Sequence, residues 1–182
     1  MKNLTTRYFC RKFEACRSGT RFALRYKTMR ECYNALLAGE AGANSWNWAL
    51  WVISLDDVMT DRDLQMFAIR CARRVARLIT NERSLKTLDV AERYIHGDAK
   101  DEELYAAAAA ARDALWAVKD ALWAVLCATR SVYAGRDALH DVWSAVRASI
   151  RAVADEAAMD AEKKAQLEIL KEFGNPFEEN EK

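Results

Sequence analysis

Residues 101–126 read DEELYAAAAAARDALWAVKDALWAVL, and this stretch decides the fold class. It opens with Asp101, Glu102 and Glu103, acids that suit the positive end of a helix dipole. An unbroken run of six alanines follows at 106–111. Alanine has the best intrinsic helix propensity because it loses no side-chain entropy on folding. The heptamer DALWAVK (113–119) is followed at once by DALWAVL (120–126), a tandem repeat of period seven. Seven residues nearly complete two helical turns, so Leu115, Val118, Leu122, Val125 and Val132 align as one apolar seam, flanked by Trp116 and Trp123. Leu139, Val142, Val146, Ile150 and Val153 form a second seam, and Gly135 lies between the two.

Twenty-one of the 33 alanines fall between residues 104 and 165, so the whole tract is expected to be helical. A single straight helix over 101–172 would run roughly 105 Å at ~1.5 Å per residue. A lone chain of 20.7 kDa could not bury that length without a partner. Folding back near Gly135 gives two arms, and alanines beside each seam let the backbones approach at the short end of the usual ~8–10 Å. The expected fold is therefore all-α: a globular base of short helices over 1–97, plus a long alanine-rich antiparallel helical hairpin and tail over 98–182. The alternative keeps the helix straight and pairs it with another chain.

Upstream, helix caps recur. Thr28 with Glu31 has capping-box spacing, and Gly39 is placed to end that helix. Ser45 is positioned to cap a short tryptophan-rich helix near 46–55 carrying Trp46, Trp48 and Trp51. Thr60 with Asp63 repeats the box, and the helix after it sets Leu64, Phe67, Cys71, Val75 and Leu78 on one stripe. Asn81 or Ser84 starts a further helix with Leu85, Leu88, Ala91 and Ile95, closed by Gly97. Downstream, Gly174 and Pro176 end the last helix, leaving Phe173 and Phe177 to tuck back onto the body.

Composition excludes several classes. Apolar residues make up 52% of the 182, enough for a core, which excludes wholesale disorder. A net charge of +1 fits neither a DNA mimic nor a uniformly basic nucleic-acid coat. The charge is uneven, however: residues 1–38 carry nine Lys or Arg against Glu14 and Glu31, while 155–182 carry nine acids against four lysines. The basic 1–38 part is read either as a solvated surface or as a dock for an acidic partner. Five cysteines, Cys10, Cys16, Cys32, Cys71 and Cys127, make an odd set without a Cys-x-x-Cys pair, which fits reduced thiols. The N-terminus shows no apolar signal core, and no apolar run reaches the ~20 residues of a spanning helix. A soluble cytoplasmic protein is expected, with no membrane partner.

No catalytic or metal-binding pattern emerges. His96 and His140 are 44 residues apart, and neither has an i+4 His or Cys. No Gly-rich phosphate loop, Gly-x-Ser-x-Gly elbow or His-Glu-x-x-His occurs. No cofactor is implied, and the chain is read as a non-enzyme. The best-defined polar feature is Arg70, Arg73, Arg74 and Arg77, whose i, i+3, i+4, i+7 spacing gathers four guanidiniums on one helix face. Either they pair with acids on neighbouring helices, such as Asp89 and Glu92, or they meet an acidic partner. Trp116 and Trp123 sit off the main seam, and tryptophan is the residue most enriched at binding hot spots. These six residues are the candidate partner-binding set.

The stretch DRDLQMFAIRCARR (61–74), then DVAERY (89–94) with Gly97, then DEEL (101–104) before the alanine-rich helix, resembles a group of alanine-rich proteins. They occur in bacteriophages and bacterial genomes and carry the label of immunity proteins, their biochemical function unknown. FGNPF (173–177) and the upstream WNWALW (46–51) are similar to segments of the same group, so the resemblance spans about residues 56–177 plus the tryptophan-rich segment. It implies a protein that binds and silences a partner, a toxin or a host defence component. A phage origin would favour counter-defence in the host cytoplasm. It transfers no site residue. The expected function is thus a non-enzymatic, protein-binding inhibitor. The alternatives are a nucleic-acid-binding module using 1–38 and the Arg70, Arg73, Arg74 and Arg77 face, or a structural homo-oligomer, in the simplest case a homodimer.

Overall fold

Thr28 and Glu31 form the capping box that their spacing predicts: Thr28 Oγ1 accepts from the Glu31 N–H at 3.3 Å, and Glu31 Oε2 accepts from the Thr28 N–H at 3.2 Å. The computed structural model describes residues 4–78, 82–113, 127–128, 138–152 and 156–178. Every regular element among them is helical, apart from one isolated bridge between Thr5 and Thr28. The all-α class read from the sequence is what the chain adopts. The helices are α1 (Thr6–Lys12), α2 (Arg17–Ala23), α3 (Met29–Leu37), α4 (Ser45–Ile53), α5 (Asp61–Val75), α6 (Glu82–His96), α7 (Asp101–Asp113), α8 (Ala138–Arg151) and α9 (Glu156–Glu172). Short 3-10 turns precede α4 and follow α5.

The chain divides into two compact units, Met1–Thr60 with Lys163–Lys182, and Asp61–Glu162. The division expected at 97/98 is not where the units part. The reason lies at Gly97, which takes φ +85° and turns α6 directly onto α7. Thr87 Oγ1 donates to the Ala107 carbonyl at 3.1 Å, Arg93 pairs with Glu103 at 2.9 Å, and Tyr94 Oη donates to Asp101 at 2.8 Å. Leu88, Ala91, Leu104 and Ala108 are buried. The two helices flanking residue 97 are thus laced together within one unit.

In the first unit, α1, α2, α3 and α4 surround a core of Phe9, Met29, Tyr33, Leu36 and Ile53. The C-terminal segment completes it. Phe177 is buried, with its ring edge-on to Phe9 at 5.7 Å and to Tyr33 at 6.0 Å. Asn175 Nδ2 donates to the Arg30 carbonyl at 2.9 Å and to Asn34 Oδ1 at 2.8 Å, while its own Oδ1 accepts from the Phe177 N–H. Trp46 Nε1 donates to Gln166 Oε1 at 2.9 Å, both groups being buried. Ser45 does not cap α4, as its position suggested. It is the helix's first residue, and its Oγ instead accepts from the Ala41 N–H at 3.0 Å.

In the second unit, α5 buries the expected Leu64, Phe67, Cys71 and Val75, but Leu78 is exposed because the chain has passed into the 3-10 turn there. A second row of Ala68, Ile69 and Ala72 is also buried, so α5 is covered over a wide arc. It packs against α6 and α8. α8 brings Val142, Val146 and Ile150 of the second seam, with Ala145 and Ala148 beside them fully buried. Such small side chains allow close helix approach. The second arm of the expected hairpin is divided: α8 ends at Arg151, Ala152 is a turn, and α9 starts at Glu156. The bend near Gly135, the tandem repeat and the first seam lie outside the described residues. Cys127 and Ala128 are helical and buried.

Candidate functional site

The arginine face of α5 is used internally where the structure describes it. Arg73 Nη2 donates to Asp89 Oδ1 at 2.8 Å and also to Glu92 Oε2, both on α6. Burial by itself would lower the Arg73 pKa, but the hydrogen bonds to Asp89 and Glu92 outweigh it and hold it above its ordinary value. Arg74 Nε donates to both oxygens of Glu162, at 2.9 and 3.0 Å, and the Glu162 side chain is 5% exposed. A buried carboxylate needs such a counter-ion, because leaving it unpaired costs several kcal/mol, order of magnitude. Arg70 is half-buried and engaged. Arg77 lies in the 3-10 turn after α5, with its side chain outside what the structure describes. The pairing of this face with Asp89 and Glu92, one of the two readings of the sequence, is therefore realised at Arg73. Trp116 and Trp123 lie outside the described residues.

A different cationic surface stands open. α1 starts at the Thr5 cap, whose Oγ1 accepts from the Tyr8 N–H at 3.3 Å. It buries Thr6, Phe9 and Cys10, leaving Arg7, Tyr8, Arg11 and Lys12 outward. α2 buries Phe22 and Ala23 and presents Arg17 and Arg21 one turn apart. Arg25, Lys27 and Arg30 continue the exposed set. Among the described residues, none of these eight cations forms an ion pair. Two of the carboxylates in this part of the chain have other partners: Glu31 serves the capping box, and Glu40 accepts from Tyr26 Oη at 2.7 Å.

Two of the eight are oriented by rings. The Arg25 guanidinium sits 5.2 Å from the Phe22 centroid and 5.7 Å from that of Tyr26, and Lys12 Nζ sits 4.9 Å from Phe13. Such cation–π contacts restrict a long side chain without neutralising it. Tyr8 and Leu24, both half exposed, add apolar area to the same segment. The excess of basic residues over 1–38 was legible in the sequence. That they stay unpaired was not, because it depends on where every carboxylate of the folded chain ends up.

Cys16 is the exposed thiol of this surface. It caps α2, and hydrogen bonds from the Ser18 hydroxyl and the Gly19 N–H push its pKa below the ordinary thiol value. Burial drives Cys32 the other way, up to about 12. His96, at the C-terminus of α6, lies with Nδ1 3.1 Å from Arg62 Nη2. Among the described residues, no group of three His, Cys, Asp or Glu side chains is placed to hold a metal ion. No helix among them is long and apolar enough to cross a membrane.

A further exposed feature, on α8, was not singled out in the sequence. Trp143, Ser144, Arg147 and Arg151 line an open cleft of about 410 Å³. The signal available for it was the i, i+4, i+8 spacing of Trp143, Arg147 and Arg151 on a helix whose adjacent face carries the valine seam. Comparison of the chain with family models, with curated proteins and with solved structures finds no match.

Proposed function

We propose that this protein works by stoichiometric binding: the cationic face of α1, α2 and α3 docks on an acidic surface of another protein and blocks it, with no covalent chemistry. The observation that carries this reading is the set of eight exposed cations, Arg7 to Arg30, without an ion pair among the described residues. Unpaired surface charge of one sign raises the on-rate for an oppositely charged partner and restricts which partners are accepted. Short helices with side-chain caps hold these charges on a pre-ordered frame, so little entropy is lost on docking. The resemblance to alanine-rich immunity proteins points the same way, to an inhibitor of a toxin or of a host defence component acting in the cytoplasm.

The test is affinity capture from a nuclease-treated lysate by the native chain and by a K12E/R17E/R21E variant. A defined protein is expected on the native chain alone. Its retention should fall as salt rises from about 0.15 M to 1 M, which shortens the Debye length from ~8 to ~3 Å. Equal capture by the variant would refute the docking surface. A second reading, a nucleic-acid module, draws on the same unpaired cations and on exposed Tyr8. It loses Arg73 and Arg74, whose guanidiniums are already engaged. A salt-sensitive gel shift with single-stranded DNA or RNA would favour it over the first.

A further inference from the structure

Cys10 and Cys16 are brought together by the turn between α1 and α2. Glu14 takes φ +50°, a left-handed conformation uncommon outside glycine, and reverses the chain there. The Ala15 N–H donates to the Cys10 carbonyl at 2.9 Å, so the residue before Cys16 lies against the last turn of α1. Thr20, one helical turn after Cys16, closes the arrangement from α2: its Oγ1 donates to the Ala15 carbonyl at 3.2 Å. The Thr20 side chain also hydrogen-bonds the Cys10 thiol. Cys10 approaches Thr20 from α1, and Cys16 precedes it by one turn on α2.

The two thiols differ in character. Cys16 is exposed, and its Sγ stands 3.4 Å from both the Ser18 Oγ and the Gly19 nitrogen. Those hydrogen bonds lower its pKa and so raise its thiolate fraction at neutral pH. Arg17 beside it is exposed and forms no ion pair among the described residues, which favours an approaching anion. Cys10 is 7% exposed. Burial raises its pKa most, the Thr20 hydrogen bond opposes this, and negative charge on Cys16 raises it further, so the two sulfurs sense each other. α2 has seven residues and buries only Phe22 and Ala23, so a local opening of its first turn uncovers Cys10. An accessible nucleophilic thiol beside a protected one is the arrangement that dithiol oxidation uses.

We infer that Cys16 and Cys10 form a thiol–disulfide exchange site whose substrate is an anionic low-molecular-weight peptide disulfide. The Cys16 thiolate attacks one sulfur of that disulfide, whose S–S bond breaks as a Cys16 mixed disulfide forms. The departing thiolate takes up the proton that Cys16 released. Cys10 then gives its proton to solvent and attacks Cys16 Sγ, and the second half of the small molecule leaves, reprotonated, as a thiol. Two electrons pass from the cysteine pair to the small disulfide, which ends as two thiols. In the product the Cys16 sulfur is neutral and drawn to Cys10, so the hydrogen bond from the Gly19 N–H weakens and the cap of α2 is released. The exchange site does not rest on the function proposed above.

Incubation of the reduced full chain with oxidised glutathione, followed by tryptic mapping without reductant, tests it. The expected product joins peptide 8–11, which holds Cys10, to peptide 13–17, which holds Cys16. C10S should stop at a persistent mixed disulfide of Cys16 with glutathione. C16S should slow release of reduced glutathione about tenfold or more, because Cys10 is left as a buried, poorly ionised thiol. S18A should move the pH profile of the first step upward, since it removes a hydrogen bond to the thiolate. Circular dichroism checks that each variant keeps its helix content. The inference fails if the native chain does not react, or if it stops at the mixed disulfide as C10S does. It fails equally if Cys16 is found joined to Cys32 or to Cys16 of a second copy, or if C16S reacts at the native rate.

Discussion

Removing the hydrogen bond between Trp46 and Gln166 should show how strongly the C-terminal segment is tied into its unit. The two side chains are 120 residues apart, 6% and 0% exposed, with Nε1 to Oε1 at 2.9 Å. W46F deletes the donor and leaves a buried amide oxygen short of a partner, which costs about 1–3 kcal/mol. The smaller ring adds about 1 kcal/mol for the void. Q166L strands the indole N–H instead, for about 1–3 kcal/mol. It also loses the amide's other contacts. In the double variant neither polar group is orphaned, so the pair should be less damaging than the two single changes added together. The expected coupling is about 1–2 kcal/mol, and the other Gln166 contacts cancel because they are lost in both arms of the cycle. Urea unfolding followed by far-ultraviolet circular dichroism measures all four proteins. Additivity within about 0.5 kcal/mol would show that this hydrogen bond contributes nothing, and the reasoning about a polar clasp would fall.

Further outcomes follow from the same packing. F177A should cost about 3–5 kcal/mol in urea unfolding, since the ring is 2% exposed and meets Phe9 and Tyr33; a loss under about 1 kcal/mol would contradict that burial. Native-state alkylation followed by mass spectrometry should label Cys16 first, because its pKa is lowered and it is exposed, whereas Cys10, Cys32, Cys71 and Cys127 are buried; a second thiol reacting at the same rate would refute this. Hydrogen bonds from the Thr28 and Lys27 N–H groups hold the Glu31 carboxyl below its ordinary range. Its contribution is therefore present above the ordinary carboxylate pKa and lost as pH falls through the lowered one. E31Q should be less stable than the native chain at neutral pH and converge with it in acid; a constant gap across pH would count against the capping box.

Much of the local architecture was legible because helix signals act over three or four residues. The Thr28–Glu31 box, the turn at Gly97, and the burial of Leu64, Phe67, Cys71 and Val75 are each set by neighbours on one turn. Ser45 and Leu78 show where that reasoning stops. A serine before an apolar run can as well accept from the preceding turn, and a 3-10 step rotates the next side chain off the stripe. The arginine face was half legible: Asp89 and Glu92 lie on the next helix in the chain, whereas Glu162, partner of Arg74, is 88 residues away.

By itself, the sequence determined the all-α class, the bounds of α3 and α6 and the starts of α5 and α7, since propensity, caps and glycine stops are short-range and nearly independent of context. Only the tertiary structure decided that residues 163–182 complete the core of the N-terminal unit, and which charges are neutralised and which stay open. Those outcomes depend on contacts between positions more than a hundred residues apart, for which neither helical period nor composition carries a signal. Which cations from Arg7 to Arg30 are left without an ion pair among the described residues is a property of the whole folded charge arrangement rather than of any one segment.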